Sequence, residues 1–118
     1  MRAKKEITKF LGGGSRVRCD DISDRIAVCQ LLMDAGYYPP EPCGEKYDRY
    51  NAESYCACYA DRFFHPCLWG SDDQWELCLY NNIITVDGGN VYSVAEFFTF
   101  MGYEPASAVA PQDISDLL

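Results

Sequence analysis

The feature that most limits what this chain can fold into is where its cysteines fall. Seven occur in 118 residues. Cys19, Cys29 and Cys78 sit in stretches with helical or strand periodicity, where a free cysteine behaves as a small buried hydrophobe. Cys43, Cys56, Cys58 and Cys67 sit between residues 39 and 70, a stretch that follows neither period. The odd count, and an N-terminus from Met1 to Leu11 that is charged and carries no apolar run, speak against a secreted disulfide framework. In a reducing compartment clustered cysteines point to metal. Zinc takes four tetrahedral ligands from Cys and His and closes a loop between short hooks. Cys56-x-Cys58 makes one hook, His65-x-Cys67 another, and Cys43-Gly44 offers a thiolate followed by a turn. Five candidates thus compete for four places. The expected shell is Cys43, Cys56, Cys58 and Cys67, with His65 as the alternative fourth ligand. A structural Zn²⁺ would supply on the order of 10 kcal/mol to hold an irregular segment that long. The other reading is that these thiols fill a small core.

Around this segment the chain reads as α+β. Gly12-Gly13-Gly14 is expected to separate a flexible basic leader, residues 1–14, from a single folded domain over 15–104, followed by an acidic tail over 105–118. Residues 15–19 suit a short strand. Asp20, Asp21, Ser23 and Asp24 then favour a helix start, and Ile22, Ile26, Cys29 and Met33, widened by Val28 and Leu32, trace its apolar stripe as far as Gly36. Trp75, Leu77 and Leu79 alternate with Glu76, Cys78 and Tyr80 as in a half-buried strand. Asn81-Asn82 offers a tight turn to a return strand over 83–86. Ser93-Val-Ala-Glu96 matches a capping box, and Val94, Phe97, Phe98 and Met101 carry a second helix to Gly102. The expected plan is strand, helix, cysteine-rich irregular segment with a zinc site, hairpin, helix.

Charge narrows the function classes. Residues 1–18 hold six basic groups against Glu6, whereas Cys19 to Leu118 hold four basic and seventeen acidic residues. Beyond Arg62 there is no Lys or Arg. Such an acidic body repels phosphate, so it is expected to bind no nucleic acid directly; it keeps a small monomer in solution and complements a basic surface. No apolar run reaches the roughly 18 residues of a membrane span, and a cytoplasmic location is expected. The chain has one histidine, and an all-cysteine zinc shell has no open position for water, so no enzyme is expected. Asp72, Asp73 and Glu76, with aromatic rings nearby, are the candidate partner-binding residues.

In size, acidic balance and strand-helix-hairpin-helix plan the chain resembles the small anti-CRISPR proteins of phages and mobile elements that inhibit type II Cas9. The resemblance implies a stoichiometric inhibitor, acting in the bacterial host cell, that binds Cas9 and prevents nucleic-acid loading. Cas9's strongly basic channels suit an acidic partner. A second expectation is a small zinc-containing phage or prophage regulator that touches nucleic acid through the basic leader.

Overall fold

The computed structural model describes residues 2–12, 14–60, 63–71, 74–83 and 89–102. In chain order they form α1 (Lys4–Leu11), β1 (Arg16–Arg18), α2 (Ile22–Asp34), α3 (Ala52–Cys58), β2 (His65–Ser71), β3 (Gln74–Tyr80), β4 (Val91–Ser93) and α4 (Val94–Met101). The strands make one mixed sheet in the order β3-β2-β1-β4, with β2 antiparallel to both its neighbours and β4 parallel to β1. Among the described residues this is a small α+β domain of four helices on a four-stranded sheet.

Two helices follow their local signals closely. The Asp21 carboxylate accepts from the Asp24 amide at 2.9 Å to start α2. At α4 the Ser93 hydroxyl accepts from the Glu96 amide, and the Glu96 carboxylate accepts from the Ser93 amide at 2.8 Å. Gly36 and Gly102 follow these helices with φ of +100° and +90°, a left-handed backbone that other residues adopt only under strain. The buried face of α2 is turned from the expected stripe. Arg25, Val28, Cys29, Leu32 and Met33 are inside, while Ile22 is 39% exposed. The turn has a polar cause: Arg25, only 1% exposed, donates to the carbonyls of Tyr59 (2.8 Å) and Phe64 (3.2 Å).

Three expectations are corrected. The leader over 1–14 is not a flexible arm. It contains α1, whose Ile7 and Leu11, four residues apart on one face, are fully buried. The Tyr37 hydroxyl ties the helix down by donating to the Lys4 carbonyl at 2.6 Å, and it also bonds the Thr8 hydroxyl. The stretch 39–70 is not irregular throughout, since α3 and all but the last residue of β2 lie in it. Asn51 caps α3 by accepting from the Ser54 amide, and Ala52, Tyr55 and Cys56 are its buried face. The strand opposite β3 is β2, paired from His65↔Tyr80 to Ser71↔Gln74. Residue 83 is not in a strand, residues 84–86 of the expected return strand lie outside the described residues, and so does the expected tail over 105–118.

Register assigns the two faces of the sheet. Val17, Leu68 and Leu77 point to the helical side and join Ile7, Val28, Leu32, Tyr55, Phe97 and Met101 in the core. Pairing puts Arg16, Cys67, Trp69, Glu76, Cys78 and Tyr80 on the other face.

Candidate functional site

The structure does not gather the expected zinc ligands. Cys43 and Cys58 are exposed, whereas Cys56 and Cys67 are fully buried in different elements. Among the described residues no three His, Cys, Asp or Glu side chains come together as they would around a metal ion. Cys56 instead faces Cys29 of α2, with 3.7 Å between sulfurs. Cys67 lies directly opposite Cys78 in the β2–β3 ladder. The reason for invoking zinc weakens as well, because helix, strand and packed side chains already hold this segment. The donor set present does not fit a four-ligand site.

His65 has a different task. Its Nδ1 accepts from the Cys19 amide at 3.3 Å, so the ring splices the start of β2 to the end of β1. Burial, then the positive charges of Arg18, Arg25 and Arg16, push its pKa down, with Asp20 pulling the other way. A neutral imidazole whose Nδ1 is occupied by an amide is poorly placed to activate a thiol. Burial also drives the Cys19 thiol far above its ordinary value. Arg18, Cys19, Asp20, Phe63, His65 and Ile83 line a cleft of about 450 Å³ here, and it brings no activated nucleophile to a base.

The sheet face turned away from the helices offers a recognition surface. Trp69 on β2 is 42% exposed and stands directly across from exposed Glu76 on β3. The Tyr80 ring meets Trp69 edge to face, with centroids 6.1 Å apart, and takes the Arg16 guanidinium on its own face at 4.7 Å. A large ring braced by a second ring, with a carboxylate alongside, loses little side-chain entropy on binding. Of the three expected acids, Glu76 is therefore on this face. Asp72 and Asp73, which join β2 to β3, lie outside the described residues. The register that brings Trp69 to Glu76 depends on β2, which the sequence did not mark as a strand.

The N-terminal cations are largely engaged within the chain. Arg2 Nε donates to the Phe100 carbonyl at 2.7 Å, and Lys4 Nζ donates to the Gly36 carbonyl at 3.3 Å while lying over the Tyr37 ring. Arg16 is 4% exposed, and Arg18 pairs with Asp20 at 3.2 Å. Lys5 and Lys9 remain exposed on α1. Beside them Phe10 stacks on both Phe100 and Tyr92, with centroids 4.0 and 4.1 Å apart, closing the seam between α1, β4 and α4. No helix among the described residues is long and apolar enough to cross a membrane. No family model matches the chain, and no curated protein or solved structure matches it either.

Proposed function

We propose that this protein is a non-enzymatic, acidic binder of a basic protein surface and, following its resemblance, that the surface belongs to Cas9, whose nucleic-acid loading it blocks. The observation that carries the reading is the Trp69–Glu76 pair, an exposed aromatic anchor directly across a strand pair from a carboxylate. It lies in the half of the chain that has no Lys or Arg beyond Arg62. Aromatic burial supplies affinity, while the acidic field speeds encounter with a basic groove and sets its orientation.

The competing reading, nucleic-acid contact through the basic leader, loses support from the way those cations are used. Arg2, Lys4, Arg16 and Arg18 already bond carbonyls, rings or Asp20. Two lysines on α1 would release few counterions from a phosphate backbone.

The test is a Cas9 cleavage assay with a direct binding measurement, comparing the wild type with Trp69→Ala, Glu76→Lys and the double variant. Both side chains are exposed, so the variants are expected to keep their melting temperature. Loss of binding at unchanged stability is the expected result. Full inhibition by the double variant would remove this face from the interface, and no inhibition by the wild type would remove Cas9 as the partner.

A further inference from the structure

The seam between α2 and α3 holds two thiols and a cation in one arrangement. Arg25 and Cys29 are four residues apart, one above the other on the buried face of α2, and Cys56 of α3 faces them. The two sulfurs are 3.7 Å apart and hydrogen-bonded, and both cysteines are fully buried. The guanidinium is held in place by the carbonyls of Tyr59, just past the C-terminal end of α3, and Phe64, just before β2.

We propose that Cys56 and Cys29 form a redox-active dithiol, with Cys56 the attacking and Cys29 the resolving sulfur, which a peroxide closes into a disulfide joining α2 to α3.

The surroundings separate the two roles. The hydrogen bond between the two sulfurs and the nearby Arg25 charge pull the Cys56 pKa down against its burial. Burial, and then Cys56 itself, pushes the Cys29 pKa well up. In the first step the Cys56 thiolate attacks one peroxide oxygen and the O–O bond breaks. The hydroxide that leaves takes up the proton Cys56 gave away, forming water, and Cys56 becomes a sulfenic acid. In the second step the Cys29 sulfur attacks the Cys56 sulfur and the S–O bond breaks. The departing hydroxide carries off the Cys29 proton as a second water. Two thiols lose two electrons, and one peroxide is reduced to two waters. Closing the pair brings the sulfurs from 3.7 Å to about 2.05 Å.

The fold contains its own control. Cys67 and Cys78 also face each other, across β2 and β3, but burial pushes Cys67 up to about 12 and Cys78 up to about 11. Neither supplies a thiolate near neutral pH.

The experiment treats the reduced full chain with hydrogen peroxide, blocks remaining thiols, and maps peptides without reduction. The expected product is a Cys29–Cys56 link, a mass lower by two hydrogens, and a melting temperature raised on the order of 10 °C that dithiothreitol reverses. Because both sulfurs are buried, closure should be slow and should speed up several-fold in mild urea. A Cys43→Ser, Cys58→Ser double variant removes both exposed thiols without touching the core, and it should form the same link at the same rate. In Cys29→Ala a sulfenic-acid trap should label Cys56. A Cys67–Cys78 link in place of Cys29–Cys56, or a Cys29–Cys56 link that disappears in the surface double variant, would overturn the proposal. So would failure of the trap to label Cys56 in a folded Cys29→Ala.

Discussion

Removing α1 should cost this domain most of its stability. Ile7 and Leu11 are both fully excluded from solvent, and burying an aliphatic side chain of that size contributes about 1.5–3 kcal/mol. The Tyr37 hydroxyl bond to the Lys4 carbonyl adds about 1 kcal/mol, and its loss leaves that hydroxyl partly buried beside an empty groove. Together these give about 4–7 kcal/mol against a total stability of roughly 5–15 kcal/mol for a typical domain. A chain beginning at Gly12 should therefore be marginally folded. Ile7→Ala alone should lose about 2–4 kcal/mol, because the surrounding core closes only partly over the gap. Urea unfolding followed by tryptophan fluorescence reads both, since Trp75 of β3 is half-buried against the core. A truncated chain within about 1 kcal/mol of the full one would refute the docking of α1. The same arithmetic makes deletion a poor test of nucleic-acid binding by the N-terminus. Lys5→Glu with Lys9→Glu alters charge at exposed positions and leaves the core intact.

Other perturbations have equally definite outcomes. Arg25→Ala removes two charge-assisted hydrogen bonds from part-buried carbonyls and opens a cavity between α2 and α3, so about 3–5 kcal/mol should be lost in urea unfolding; a loss under about 1 kcal/mol would contradict that role. His65 has a folded pKa below its ordinary value of about 6.5, so the unfolded chain takes up the proton first. Stability should thus be constant in pH above about 6.5 as far as this group is concerned, and should decline as pH falls from there toward the folded value, a slope that His65→Asn flattens. Chelator should leave the melting temperature unchanged, because the candidate zinc ligands are not brought together; a sharp fall would restore the metal site.

How far the fold could be read depended on whether its signals were local. At α2 and α4 the capping side chains, the apolar spacing and the terminal glycines all lie within a dozen residues, and both helices were legible. β3 alternates and was legible too. Its partner was not. Pro66, Cys67 and Leu68 are buried in succession, so β2 has no period of two and contains a proline besides. The spacing of Ile7 and Leu11 was available, but four cationic neighbours made that stretch resemble a solvated arm. Nothing in the sequence marks Arg25 as a buried group, since only the fold reveals the carbonyls that receive it. The cysteines were counted as a tetrad along the sequence, whereas packing sorts four of the seven into pairs, Cys29 with Cys56 and Cys67 with Cys78. Each partner lies on a separate element, and no sequence spacing announces such a match.

If Trp69 and Glu76 together meet a basic protein surface, the affinity for Cas9 at low and high salt separates the contributions of ring and charge. Surface charges are screened beyond ~8 Å at physiological ionic strength, while a buried ring is indifferent to salt. The expected result is binding that weakens as salt rises, persists in part at high salt, and loses that persistent part in Trp69→Ala. Binding that ignores both salt and the Trp69 substitution, or no binding at low salt, would contradict it.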